Sequence, residues 1–155
     1  MFKQQRGRTL LAIGVAVGAV AVLSADGLAA TKRTSAFPAQ LVGTWTRTVT
    51  KADIKGAQVV PGEVDHAFPG MVVVLVVKKD GAAVLTTKEK NGTSRWEGRL
   101  VPTGPDRFHV AGIPIDVPNV YRWQVSGRLL TLTKISDSEV FGLRHAWLIG
   151  IWKRT

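Results

Sequence analysis

Hydrophobic and polar residues alternate along much of this chain from Leu41 onward. The first alternating run opens at Leu41-Val42-Gly43-Thr44-Trp45 and continues through Thr46-Arg47-Thr48-Val49-Thr50. A period of two puts Trp45, Arg47 and Val49 on one face of a strand, and Thr44, Thr46 and Thr48 on the other. The next run, residues 71–78, is apolar on both faces, and its valines and flanking glycines favour a strand over a buried helix. Asp80-Gly81 turns the chain into a third strand at 82–88. Asn91-Gly92, a strong hairpin signal, leads into a fourth at 93–100. Further strands are expected at 107–110, 120–125 and 129–135. A loop over 137–144 then leads to a closing strand at 146–152.

Eight strands with turn signals at regular spacing describe an all-β barrel or sandwich. Strong first and last strands favour closure, so the expected fold is an eight-stranded antiparallel up-and-down barrel. Such a barrel has no free edge, and its interior is either filled by side chains or holds one small ligand. Residues 51–69 interrupt the pattern with breakers at Gly56, Pro61-Gly62 and Pro69-Gly70, and with one short helical turn expected over 52–57. A connection this long in a compact domain is often functional. Here it is expected to form a lid over the barrel mouth.

The N-terminal segment changes the picture of where the domain begins. Lys3, Arg6 and Arg8 precede an apolar run of about 14 residues, 10–23, and then the small residues Ala25, Gly27, Ala29 and Ala30. That is the pattern of a secretory signal peptide over 1–30, cleaved near Ala29 or Ala30, with the barrel domain at 31–155 and a periplasmic or extracellular destination. An uncleaved anchor is the alternative. A spanning helix takes roughly 20 apolar residues, and Ser24 and Asp26 interrupt this run. The sequence has no cysteine, which excludes disulfides and thiolate chemistry and leaves stability to the hydrophobic core.

The formal net charge is +10. Setting aside Lys3, Arg6, Arg8 and Asp26 leaves +8. This favours acidic partners, anionic ligands or an anionic surface. The basic residues are spread along the sequence without a recognition motif or a tight cluster, so no nucleic acid is expected.

Leu41-x-Gly43-x-Trp45 on the first strand, followed by a long connection, resembles the lipocalins and the wider calycin group over residues 41–155. The resemblance implies that Gly43 and Trp45 close the barrel bottom, with Arg154 or Arg144 packed across the indole. Position 46 is Thr, where lipocalins usually carry an aromatic, Leu, Arg or His. The sequence runs out at the last strand, as in the avidins and barrel-type protease inhibitors of the same group. The avidins' biotin-site residues are not recognisable here.

Arg47 is the most informative candidate for a binding role. A guanidinium carried inside a barrel needs partners, and either a ligand carboxylate or phosphate or an internal Asp or Glu supplies them. Val49, Trp96, Phe108, Tyr121, Trp123 and Leu132 fall on inward faces, as an apolar ligand lining or as plain core. Glu63, Asp65 and His66 share the long connection, but no second histidine stands at ligand spacing, so neither a metal nor another cofactor is expected. No nucleophile elbow, phosphate-cradling glycine loop or His-Glu-x-x-His is present. No catalytic residue is therefore assigned, and Glu97, Asp116 and His109 are the first to inspect for an enzyme. The expected function is a secreted barrel that binds a small apolar or acidic amphipathic molecule. The alternative is a packed barrel that binds a protein through its loops and basic surface, for instance as an inhibitor.

Overall fold

The computed structural model describes residues 37–155 apart from 115, so the expected signal segment lies outside the described residues. Its strands are β1 (Gly43–Thr48), β2 (Val72–Val77), β3 (Ala82–Glu89), β4 (Gly92–Gly104), β5 (Arg107–Ala111), β6 (Asn119–Ser126), β7 (Leu129–Asp137) and β8 (Gly150–Arg154). Each pairs antiparallel with its neighbour in sequence. β8 returns to β1 through Trp45↔Arg154 and Thr46↔Lys153, which closes the barrel. The expected up-and-down barrel is the fold observed.

Register follows from the alternation. Trp45 opposes Leu75, and Leu75 opposes Leu85 on β3, so one layer of large inward residues crosses three strands. One layer nearer the mouth, Arg47, Val73 and Thr87 repeat the pattern, and all three are buried. A one-residue slip would turn this whole set outward, and burial on the inner face forbids it.

The closing segment departs from expectation. Residues 146–152 do not form one strand. Leu143–Leu148 is a short helix, α2, and only Gly150–Arg154 is the strand. Leu143, Ala146 and Trp147 stand at i, i+3 and i+4, a helical spacing that an unbroken apolar run hides. Gly142, at φ 77°, starts the helix where a Cβ would meet the Ala57 carbonyl oxygen at 2.5 Å. Gly150, at φ +127°, admits the Arg47 guanidinium, whose Nη2 would be 2.9 Å from a Cβ. Leu143, Arg144, Ala146, Trp147 and Leu148 are all buried, so α2 plugs the mouth end of the barrel.

The long connection carries a second helix, α1 (Lys51–Ala57), at the expected place. Thr50 caps it: Asp53 N donates to Thr50 Oγ1 at 3.2 Å, and Thr50 N donates to Asp53 Oδ2 at 2.7 Å. This reciprocal capping box satisfies two of the helix's orphan N–H groups. α1 packs against α2, and Val60 N donates to Phe141 O at 3.2 Å, so the connection lies across the mouth.

The ladder between β5 and β6 is short, with Arg107↔Arg122 and Phe108↔Tyr121 as its register pairs. Beyond them the buried Asn119 side chain replaces the backbone. Val110 N donates to Asn119 Oδ1 at 2.6 Å, and Asn119 Nδ2 donates to Val110 O at 2.7 Å. Asn119→Leu strands both groups of a residue that is itself fully buried. The expected cost is about 2–3 kcal/mol, read as a lowered urea midpoint at unchanged m-value. A shift below about 0.5 kcal/mol would show that Asn119 does not carry this join.

The opposite end is closed. The chain enters through a 3-10 turn, Ala39–Leu41, and Trp45 Nε1 donates to Leu41 O at 2.8 Å. Arg154 lies over the Trp45 ring, Cζ to centroid 4.4 Å, and its Nη2 donates to Gln40 O. Arg144, the other candidate for that position, sits at the mouth end instead.

Candidate functional site

The mouth of the barrel gathers the end of the long connection, the start of β4, the β5–β6 loop and α2. They enclose a cleft of about 260 Å3 lined by Glu63, His66, Trp96, Pro114, Phe141, Leu143 and Trp147. Trp96 reaches it from β4 because the alternation Trp96, Gly98, Leu100 faces inward. Trp147 reaches it because α2 turns its apolar stripe into the barrel. The two indoles are 4.5 Å apart at 33°, a tilted contact that fixes the floor of the cleft.

Polar groups around the cleft are already oriented. Trp147 Nε1 donates to the His66 carbonyl at 2.9 Å. His66 Nδ1 lies 2.9 Å from Glu89 Oε2, and Lys90 Nζ donates to Asp65 Oδ1 at 2.6 Å. Glu63, Asp65 and His66 therefore do not converge. Among the described residues no group of three His, Asp or Glu side chains is placed to hold a metal ion.

Arg47 points inward, as the period-two reading requires, and is buried. Its Nη2 pairs with Asp53 at 2.6 Å. Its Nη1 donates to the carbonyls of Ala146 and Trp147, at 3.3 and 3.2 Å, and to that of Ile149. These are the orphan carbonyls at the C-terminal end of α2, where a positive charge is favoured. Burial lowers the guanidinium's pKa from its ordinary value although Asp53 opposes it. Burial pushes Asp53 up, but its hydrogen bonds from Thr50 and the charge of Arg47 bring it below the usual carboxylate range. Both groups stay ionised, and the internal acid foreseen as one alternative is the partner Arg47 has.

A second buried network stands beside it. Arg144 Nε donates to Asp137 Oδ2 at 2.9 Å, its Nη2 donates to Asp137 Oδ1, and its Nη1 donates to Ile113 O at 3.3 Å. The Tyr121 hydroxyl donates to Asp137 Oδ2. Burial works against the Asp137 charge, yet donors from Arg144, Tyr121 and the Glu139 amide hold its pKa below the ordinary value. Burial, with the Asp137 hydrogen bond and charge, pushes the Tyr121 hydroxyl well above its usual range.

Of the residues foreseen as a ligand lining, Trp96 alone lines the mouth cleft. Phe108 and Tyr121 pack against each other at 6.0 Å in the core, and Val49 and Leu132 are buried in the same cluster. Trp123 is half-buried at its margin. A different groove, about 390 Å3, borders position 47 outside the β1–β8 join with Thr46, Thr48, Ile151, Lys153 and Thr155, while the Arg47 guanidinium is engaged inside by Asp53 and the α2 carbonyls. Glu97 is exposed and pairs with Arg95 at 2.8 Å. No hydrogen bond joins Glu97, Asp116 and His109 to one another. Trp147, Phe141 and Leu143 went unrecognised in the sequence because their segment reads as loop and strand. The helical spacing 143, 146, 147 is the signal that identifies Leu143 and Trp147, whereas Phe141 lies in the loop before α2.

No family model matches this chain, and no curated protein matches it. Among solved structures it is similar to the lipoprotein YedD from Klebsiella pneumoniae subsp. pneumoniae MGH 78578. That likeness has a TM-score of 0.46 and 14% identity, over 79% of this chain and 77% of the other.

Proposed function

We propose that this protein is an exported, lipocalin-like barrel that binds a small apolar or amphipathic molecule at its mouth rather than deep in its lumen. One observation carries the reading: the cleft between Trp96 and Phe141, floored by Trp147 and edged by Glu63 and His66. Concave, aromatic and sparsely polar surfaces of this kind suit small ligands. At about 260 Å3 the cleft falls below the roughly 300–1,000 Å3 of drug-sized pockets. It suits one ring or a short acyl segment better than a long chain. The closed bottom beneath Trp45 and the basic residue across it support the lipocalin-like part of the reading. The export part rests on the basic, apolar and small-residue order of residues 1–30.

The test is titration of purified protein with an uncharged naphthalene-based fluorescent probe. Trp96→Ala, checked for folding by circular dichroism, is expected to weaken binding at least tenfold, about 1.4 kcal/mol. Trp123→Phe is expected to leave it within twofold, about 0.4 kcal/mol. Equal losses in both would remove the cleft as the site.

A second reading takes the same cleft as a socket for an apolar side chain of a partner protein. It is favoured by Val140, 76% exposed, and Phe141, 38% exposed, which extend the apolar surface beyond the rim. A folded protein that binds no probe turns the assignment to this reading.

A further inference from the structure

The barrel sorts its charge by end. At the closed end, Lys78 and Lys79 occupy the β2–β3 turn, and Arg99 reaches it from β4, with Nη2 3.0 Å from the Asp80 carbonyl. Arg107 and Arg122 are directly paired in register and flank Asp106 at the β4–β5 turn. Arg128 makes the β6–β7 turn, and β8 brings Lys153 and Arg154 to the same end. That is eight basic side chains against two acidic ones, Asp80 and Asp106. The rest of the described barrel balances at eight of each sign. The whole +6 of the described residues therefore sits on the closed end, and the remainder of the described barrel, which includes the mouth and its cleft, carries no net charge.

Much of this charge is unspent. Lys78, Lys79, Arg128 and Lys153 form no ion pair among the described residues. Leu129, 43% exposed, stands beside Arg128 and opposite Lys153, so an apolar side chain projects amid the cations. Phe37, the first described residue, packs on Gly81 in the β2–β3 turn, so the chain also enters at this end. Lys32 and Arg33 precede it closely in sequence.

We propose that the closed end docks on an anionic phospholipid bilayer, leaving the mouth facing away from it. Cationic surfaces with an exposed aliphatic residue suit a headgroup layer, where the cations meet lipid phosphates and the leucine enters the interface. Nucleic acid is the less favoured partner of this surface. Among the described residues this end carries only the three-residue 3-10 turn Ala39–Leu41, too short to fill a groove, and none of its exposed residues is an aromatic on which bases would stack. The remainder of the barrel, without net charge, offers no comparable attraction for the reverse orientation.

The test uses the exported chain, processed after residues 1–30, and sedimentation with vesicles of phosphatidylcholine alone or with three parts in ten phosphatidylglycerol. Binding is expected to require the anionic lipid. The triple variant Lys79→Gln, Arg128→Gln, Lys153→Gln should weaken it about a hundredfold, roughly fivefold for each charge removed near a surface. An equal charge removed at the mouth, Lys51→Gln, Lys55→Gln, Lys90→Gln, should weaken it less than about fivefold, because attraction falls off within a screening length. The proposal is overturned if both triples weaken binding equally, or if phosphatidylcholine vesicles bind the chain as tightly. Tighter binding of single-stranded DNA than of the anionic vesicles, with the same dependence on the closed-end triple, would assign the surface to an acidic polymer instead.

Discussion

Asp137→Leu is expected to destabilise the barrel by about 3–5 kcal/mol, the cost of leaving a buried charge without its partner. Arg144 is 0% exposed and Asp137 4%, so water cannot take over the guanidinium. The Tyr121 hydroxyl loses its acceptor in the same step. Urea denaturation should show the loss as a lower midpoint. The double variant Asp137→Leu, Arg144→Met should recover much of it, because apolar side chains of similar volume often replace a buried pair without penalty. If the double variant were no better than the single, the cost would lie in packing around position 137 and not in the stranded charge.

The same carboxylate shapes the pH dependence. Asp137 and Asp53 titrate below their ordinary values in the fold. Their contribution is therefore complete above the unfolded carboxylate range, about pH 4–5, and is lost as pH falls through the depressed folded values. Tyr121 is shifted the other way. Its contribution is complete below about pH 10 and is lost as pH rises beyond it. Stability should form a plateau between these limits, and Asp137→Asn should flatten the acid limb. An unchanged acid limb would remove Asp137 as its source.

Arg47→Met should cost about 3 kcal/mol and act mainly on α2. The substitution strips a donor from three carbonyls at the end of α2 and leaves Asp53 without its cation. Asp53 keeps its bonds from Thr50 and some access to water, so its share is the smaller one. Hydrogen exchange should quicken in residues 146–149 well before it does in β2 and β3. Uniform quickening would mean that Arg47 only adds to global stability. The same variant decides whether Arg47 serves a ligand: acidic probes weakened more than neutral ones would place it in the site, and equal weakening would leave it as the latch on α2.

How far the sequence could be read depended on the range of the interactions. The inward set Trp45, Arg47, Val49 was legible because a pleated strand repeats every two residues, whatever packs on it. The hairpin at Asn91-Gly92 was legible because turn geometry is local. The helix α2 was misread because Ala146 to Trp152 is apolar throughout, and a continuous run cannot tell a strand from a plug that is buried on every side. The candidate site suffered for it: Trp96 was identified from its strand, whereas Trp147 and Leu143 belong to the helix that the pattern hid, and Phe141 lies in a loop whose contacts no local pattern reveals.

The sequence by itself determined the first seven strands, their alternation and the turns between them, since each depends on neighbours a few residues apart, and its lack of cysteine excluded any disulfide. Tertiary structure decided three things that no local pattern encodes. Barrel closure brought Arg154 onto Trp45 across more than a hundred residues. The inward turn of α2 filled the lumen and moved the open apolar surface to the mouth. Antiparallel strands also delivered basic residues that look scattered along the chain to the same end of the barrel. Charge and burial act through space, and only closure fixes which distant residues share it.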